Sequence, residues 1–368
     1  MPRYRSEQKK RTPMAALIIV LAAVFIVLMV YLVSQYMGSS KIKTYSLRCQ
    51  VNQNVTVFGD RVLYYSNGTL FCLTSSGAEV WSVSIGNGAQ FDAGSRYISV
   101  WSGRQLQILD RNGHATYNNM LGDTIQFART GEKYVAVVTG DNISPTLTII
   151  DVNGSVIDTE SNNYEDVMLL DCGFFGDGSY IWTTSLDVYG TVPQSSLITY
   201  RAGQMNTGSA NLGQRLPYSV VYCGSTLNVI DTRELRQFDY HGTENPAGAA
   251  TVYGWQLVSS LTNGSSAYLL FTPVQQVENG SGFTELRLLK GTNDTRYTLP
   301  SECVGAALYK NKVYAFSASG IYRADISDNR FTGLDIPVNG NVTAFLGITS
   351  NGCALLASGA SVYAVVLP

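Results

Sequence analysis

Two hydrophobic patterns divide the chain. The first is an unbroken apolar run, MAALIIVLAAVFIVLMVYLV, from Met14 to Val33. The second begins after about residue 40. There, short apolar stretches alternate with turns rich in Gly, Asn, Asp and Ser. Short apolar runs bounded by turn residues predict strands. A 20-residue apolar run instead predicts a helix. At ~1.5 Å per residue it is about 30 Å long, the thickness of a bilayer's hydrocarbon core.

The strand pattern recurs as a unit. The segments GDRVLYYSNG, GSRYISVWSG, GEKYVAVVTG, GDGSYIWTTS, CGSTLNVIDT, GSSAYLLFTP, KNKVYAFSAS and SNGCALLASG follow one another along the chain. Superposed, they put Val62, Tyr97, Tyr134, Tyr180, Leu227, Tyr268, Val313 and Ala354 in one column, with steps of 35 to 47 residues. Each is followed by an apolar run, a turn and a more polar strand, as in RQLQILDRNGHATY and PTLTIIDVNGSVID. A four-stranded unit of about 40–45 residues is the blade of a β-propeller. The expected fold is therefore all-β, an eight-bladed propeller preceded by one transmembrane helix. Seven blades is the alternative, because the unit around Gly224 to Tyr253 is the least regular. The last unit, ending ASVYAVVLP, stops one strand short, while IKTYSLRCQ (Ile42 to Gln50) is a strand without a unit. It is expected to complete the final blade and so remove an edge open to aggregation. The Asn-Gly pairs at Asn67, Asn112, Asn153, Asn263 and Asn351 suit two-residue hairpins, since both residue types tolerate positive φ.

The stretch GTLFCLTSSGAEVW, Gly68 to Trp81, resembles the quinoprotein-like (PQQ-repeat-like) propeller repeat, G-x-L-Y-A-L-D-x-x-x-G-x-x-x-W. Gly68, Leu70, Phe71, Leu73, Gly77 and Trp81 fall on that pattern, with a gap one residue shorter. LDRNG and IDVNG carry parts of it. The whole chain is also similar to a family of membrane-anchored propellers from Gram-positive bacteria, which implies a fold and a location but no activity. In quinone-using members of the repeat family the cofactor needs Ca²⁺ and, commonly, a disulfide between adjacent cysteines. No two cysteines adjoin here, so the resemblance implies the shape alone, and no cofactor is expected.

Charge sets the expected topology. Arg3, Arg5, Lys9, Lys10 and Arg11 precede the apolar run, against the single Glu7. The richer basic side stays in the cytoplasm. The domains expected are a cytoplasmic basic tail over 1–13, an anchor over 14–36, a short linker over 37–41 and an extracytoplasmic propeller over 42–368. Met14, Leu17, Val20, Val24, Leu28 and Val33 mark the length of the anchor. That length exceeds the apolar core of a cleaved signal peptide, about 7–15 residues. The expected location is the cell membrane, crossed once. The tail holds five of the 25 Lys and Arg and one of the 27 Asp and Glu, which leaves the remainder at a net charge of −6. Such a balance, with no basic patch, argues against nucleic acid as a partner. The six cysteines permit disulfides in an exported chain, although a large core needs none. Cys172-Gly173 and Cys223-Gly224 recur in similar settings, which makes Cys172 and Cys223 the candidate pair.

Signatures of chemistry are sparse. His114 and His241 are the two histidines, both beside turns, too few for a zinc cage. H-E-x-x-H, G-x-S-x-G and the phosphate-binding G-x-x-x-x-G-K-[ST] do not occur. DRNG and DVNG look like fragments of calcium loops but lack the oxygens to complete one. They read better as turns in which Asp bonds its own backbone. Trp101, Trp182 and Phe271 lie late in equivalent strands and are candidates for a ligand-facing surface, with packing between blades as the competing role. The expected function is a membrane-tethered platform that binds an envelope or membrane protein, an assembly role in which a rigid ring presents its rims. The alternative is a glycan- or small-ligand-binding receptor, or an enzyme, that uses the central funnel.

Overall fold

The computed structural model of the protein describes residues 24–27, 29, 42–274 and 282–368. The chain forms two units, Met1–Ile42 with Pro368, and Lys43–Leu367. In the first, Val24, Phe25, Ile26, Val27 and Met29 are helical with exposed side chains. Among the described residues no helix is long and apolar enough to cross a membrane. The rest of the expected anchor, with Met14, Leu17, Val20, Leu28 and Val33, lies outside the described residues. So do the tail, with Arg3, Arg5, Lys9, Lys10 and Arg11, and the linker over 37–41.

The second unit is built from antiparallel sheets that follow one another along the chain. Sheet A comprises Thr56–Phe58, Arg61–Ser66, Thr69–Thr74 and Glu79–Ser84. Sheet B comprises Gln90–Ala93, Ile98–Ser102, Gln105–Leu109 and Ala115–Met120, and sheet C comprises Ile125–Thr130, Tyr134–Gly140, Pro145–Asp151 and Val156–Glu160. Sheet D comprises Val167–Phe175, Tyr180–Asp187, Gln194–Arg201 and Gln204–Gly213. Sheet E comprises Ser219–Cys223, Thr226–Ile230, Glu234–Phe238 and the two-residue Ala250–Thr251. Sheet F has seven strands, Trp255–Asn263, Ser266–Pro273, Phe283–Lys290, Asn293–Tyr309, Lys312–Ser317, Gly320–Asp325 and Thr332–Asp335. Sheet G comprises Ala344–Ile348, Cys353–Ser358, Ser361–Val366 and, from the other end of the chain, Thr44–Gln50.

That last pairing closes a circle. Thr44 lies opposite Val365 and Gln50 opposite Ser361, while the first strand of sheet G, Ala344–Ile348, touches the first strand of sheet A. First strands also meet between sheets A and B, B and C, and C and D, so they line the inside of an all-β, propeller-like ring. Because strands alternate in direction, the turns fall on two rims. The lower rim carries the turns between first and second and between third and fourth strands. The upper rim carries the turns between second and third strands and the connections between sheets. Lys43 lies at the lower rim, where its carbonyl accepts the Val366 N–H at 2.9 Å.

The core is a series of layers between neighbouring sheets, which explains why the second strands are mostly apolar and buried on both faces. Val62 and Tyr64 pack with Leu47, Leu355 and Val362 of sheet G. Leu63, between them, packs with Ile98, Val100 and Leu109 of sheet B. Successive side chains point to opposite faces, and both faces are buried. Each such Leu or Val adds roughly 1.5–3 kcal/mol of burial.

The lower-rim turns lock the sheets together. Asp110 Oδ1 accepts the N–H groups of Asn112 and His114 at 2.7 and 2.9 Å, and Asp151 Oδ1 those of Asn153 and Ser155 at 2.9 and 2.8 Å. These turns bring Gly113 against the Trp81 ring and Gly154 against the Tyr117 ring of the preceding sheet. The Trp81 indole N–H donates to the Arg111 carbonyl at 3.0 Å. Of the five Asn-Gly pairs, Asn67-Gly68 has both residues at positive φ, 49° and 78°. Asn112 and Asn153 serve instead inside the Asp-headed turns.

Candidate functional site

The aromatic candidates belong to the core. Trp101 packs with Ile125 and Val137 between sheets B and C. Trp182 packs with Leu227 and Phe238 between sheets D and E. Phe271 packs with Ile230 and Leu235 between sheets E and F. All three are buried, and packing between sheets accounts for them, although Trp182 also lines a cavity of about 230 Å³ with Asp171 and Tyr218. Rings late in a second strand meet the neighbouring sheet because both faces of that strand are covered.

The candidate disulfide is also corrected. All six cysteines are free and buried. Cys172 packs with Ala136 and Ile149 of sheet C, whereas the Cys223 thiol lies 3.7 Å from the Gly264 carbonyl of sheet F. The two side chains leave their sheets in opposite directions round the ring, so they cannot bond. Burial pushes the Cys172 thiol well above its ordinary range.

The turns of DRNG and DVNG spend their carboxylates on their own backbone, as described above. The His114 side chain is largely exposed, 3.5 Å from Asp110. The His241 ring lies against that of Tyr240, tilted by 38°, with 3.8 Å between ring centroids. Among the described residues no group of three or more His, Cys, Asp or Glu side chains is disposed to hold a metal ion.

Inside the ring, the first strands of sheets B, C and D bring together Asp92, Arg129 and Asp171. Arg129 Nε donates to Asp171 at 2.8 Å. The Thr130 N–H donates to Asp92 at 2.7 Å, and the Thr130 hydroxyl donates to the Asp92 carbonyl at 2.9 Å. Burial raises the Asp92 carboxyl above the usual range, and the Thr130 N–H partly offsets it. A cavity of about 460 Å³ lies beside them, also lined by Glu132, Cys172 and Phe174. Both carboxylates of this cluster are already hydrogen-bonded within the ring. They do not converge on a free nucleophile or base, and with no adjacent cysteines the donor set does not fit a quinone with its Ca²⁺. These residues escaped detection in the sequence, where single charges spaced a whole repeat apart carry no local signature.

The upper rim has a different character. Val188, Tyr189 and Val192 are exposed in the turn of sheet D, Leu216 and Tyr218 between sheets D and E, Tyr253 between sheets E and F, and Val274 after the second strand of sheet F. Tyr253 is 75% exposed. On the lower rim the exposed large apolar side chains among the described residues are Tyr240, at 38%, and, at the start of fourth strands, Val80 and Val156. Tyr218 is held by the Leu257 N–H, which donates to its hydroxyl at 3.0 Å. A cleft of about 590 Å³ opens beside Leu216, lined by Arg215, Asp231 and Arg233. Exposed apolar groups gathered on one face mark a surface for association. The sequence signal was present: DVYGTVP and RLPY put large apolar residues in connections where polar turn residues are the norm.

A family model described as "Family of unknown function (DUF5711)" matches residues 33–329. No curated protein matches the chain in sequence. Among solved structures, the chain is similar to BamB from Moraxella catarrhalis, with 10% identity over 89% of this chain and 99% of that one, at a TM-score of 0.51. It is also similar to Sqt1 from Saccharomyces cerevisiae, with 10% identity over 89% of this chain and 100% of that one, at a TM-score of 0.59. Both are β-propellers, and at such identity the likeness concerns the fold alone.

Proposed function

The chain belongs to the DUF5711 family, and we propose that it is a membrane-tethered platform whose upper rim binds a protein of the envelope or membrane. The observation that carries this reading is the gathering of exposed apolar side chains on the upper rim of sheets D, E and F. A soluble ring gains nothing from exposing Tyr253, Leu216 and Tyr189 together unless they are covered in an assembly.

The ring itself is read as eight-bladed. The strand Asn293–Tyr309 pairs with Phe283–Lys290 through residues 293 to 298 and Cys303, and with Lys312–Ser317 through residues 303 to 309. Sheet F is thus two four-stranded blades that share one strand. The tether is read from the apolar run Met14 to Val33 and its basic flank. The tether raises the platform's effective concentration near membrane partners.

Photo-crosslinking of the full-length protein in cells tests this. A crosslinking residue placed at Tyr253 is expected to capture one envelope or membrane protein reproducibly, with less capture when Met14 to Val33 are deleted. The same residue placed at Tyr240, on the lower rim, is expected to capture little of it. Equal capture at both positions, or capture at Tyr240 alone, overturns the assignment of the upper rim.

A further inference from the structure

Beyond the five Asn-Gly pairs considered for hairpins, the sequence holds three more, at Asn87, Asn279 and Asn339. Asn279 lies outside the described residues. An asparagine before glycine is prone to lose its side-chain amide, because glycine has no Cβ to shield the next peptide nitrogen. The fold protects most of these pairs by occupying that nitrogen or by fixing the turn. The N–H groups of Gly113, Gly154 and Gly352 donate to carbonyls three residues back, at 3.1, 2.9 and 2.9 Å. The Gly88 N–H donates to the Tyr65 hydroxyl at 3.0 Å. Asn67-Gly68 and Asn263-Gly264 lie in tight hairpins, closed by the pairings of Ser66 with Thr69 and of Asn263 with Ser266.

Asn339-Gly340 differs. It lies in the upper-rim connection between sheets F and G, residues 336–343, which forms no strand and carries no charged side chain. The connection is pinned near its ends. Ile336 and Val342 are buried, and their N–H groups donate to the Ser319 and Ala318 carbonyls at 3.2 and 2.8 Å. Between these pins Asn339 and Gly340 are exposed. Neither the Asn339 side-chain amide nor the Gly340 N–H has a hydrogen-bond partner among the described residues.

The peptide group joining them is engaged on its other side. Ser358 is 7% exposed, and its hydroxyl donates to the Asn339 carbonyl at 2.7 Å. That carbonyl and the Gly340 N–H belong to one amide. A donor on the oxygen stabilises the negative charge that the amide takes up when its nitrogen loses a proton. The hydroxyl therefore favours the deprotonated, nucleophilic form. Glycine is required for this approach: φ at Gly340 is +84°, and a Cβ there would lie 3.2 Å from the Ser358 Oγ.

We propose that Asn339 is a self-modifying site, activated by Ser358, that converts to aspartate and isoaspartate through a succinimide. The Gly340 amide gives its proton to hydroxide, and its nitrogen attacks the Asn339 Cγ. A C–N bond forms, and the side-chain nitrogen takes a proton from water and leaves as ammonia. Water then adds to one of the two ring carbonyls and opens the ring. One opening leaves aspartate, and the other leaves isoaspartate, with the backbone running through the former side chain. Either product places a carboxylate in a connection that has none, and isoaspartate also lengthens the backbone by a methylene. The chemistry does not depend on the partner assigned to the upper rim.

Peptide mapping by mass spectrometry tests it, on the full-length protein in detergent micelles held at neutral and mildly alkaline pH. Asn339 is expected to deamidate at least about tenfold faster than Asn112 and Asn153, whose turns must open before the glycine nitrogen is free. The rate is expected to rise with hydroxide, and isoaspartate is expected among the products. In urea the three sites are expected to converge. Ser358→Ala is expected to slow Asn339 by about two- to tenfold, the kinetic worth of one hydrogen bond. A rate at Asn339 no faster than at Asn112 and Asn153 overturns the proposal, as does aspartate without isoaspartate. A ranking that persists in urea assigns the reactivity to local sequence and overturns it too. So does Ser358→Ala that leaves the rate unchanged or raises it.

Discussion

Gly154 has φ of +94°, and a Cβ there would lie 1.9 Å from the Tyr117 ring. Gly140 has a similar φ, +89°, but opens onto empty space. Gly140→Ala is expected to cost about 1 kcal/mol, from backbone strain alone. Gly154→Ala adds displacement of a packed ring and is expected to cost about 2–4 kcal/mol. Urea unfolding of the two variants checks the difference, and equal losses would mean that the ring yields freely. Buried thiols and phenols make a second residue-scale prediction. Burial pushes Cys49 and Cys72 up to about 11 and Cys303, Tyr200 and Tyr297 up to about 12. Unfolded thiols ionise near 9.0, so above that pH the unfolded chain releases protons that the folded chain retains. Stability is expected to be full below pH 9 and to fall as pH rises towards 11–12. Thermal melts across that range check the sign, and iodoacetamide is expected to leave the folded thiols unmodified at neutral pH.

At the scale of elements, the strand Thr44–Gln50 carries the most. Leu47 is 6% exposed and packs with Leu355 and Val362. Leu47→Asp buries a charge in that cluster and frees the edge of Ser361–Val366. The expected loss is about 3 kcal/mol or more, accompanied by self-association through the bare edge. Urea unfolding and size-exclusion chromatography read the two effects, and an unchanged midpoint would show that the strand contributes little. This element was legible in the sequence. The last repeat ends one strand short, and Ile42 to Gln50 supplies an alternating apolar strand with no other unit to join. The repeats were legible for the same reason: a glycine turn before an apolar strand is a strong local signal. Trp101, Trp182 and Phe271 were misleading because a ring late in a strand looks alike whether the strand's second face is covered or open. The two-residue strand Ala250–Thr251 left no trace, since a missing strand and an irregular one give the same loss of pattern.

For the whole molecule, the ring was readable and its uses were not. Fold follows from a periodic pattern repeated many times, so single ambiguous residues average out. A binding surface is the opposite kind of object, made where the pattern fails. Two places illustrate this. The upper-rim patch draws on Val188, Tyr189, Leu216, Tyr218 and Tyr253, spread over three sheets, and becomes a patch once the ring brings those connections to one face. The joint between sheets E and F is open because the two-residue strand Ala250–Thr251 leaves the turn at Gly291 without the cover that Trp81 or Tyr117 gives elsewhere. The Asp92–Arg129–Asp171 cluster sits inside the ring, on neighbouring first strands, with both carboxylates already engaged. Substituting Arg129 is therefore expected to lower thermal stability modestly while leaving capture at Tyr253 unchanged, since the cluster lies away from the upper rim. Loss of that capture would move attention to the channel.

Pairing Thr44–Gln50 with Ser361–Val366 also sets an order in time. At ordinary elongation rates of about 5–20 residues per second, Ser361 leaves the ribosome roughly 15–60 s after Gln50. Throughout that interval an apolar strand waits without its partner, while the sheets between them can form as they emerge. Closure must then bring together segments from opposite ends of the ring-forming chain, the slowest kind of contact to find. The birth of this protein therefore includes a dangerous minute in which Leu47 and its neighbours must be kept from pairing with the wrong edge, and the seam that completes the ring is also its last folding step.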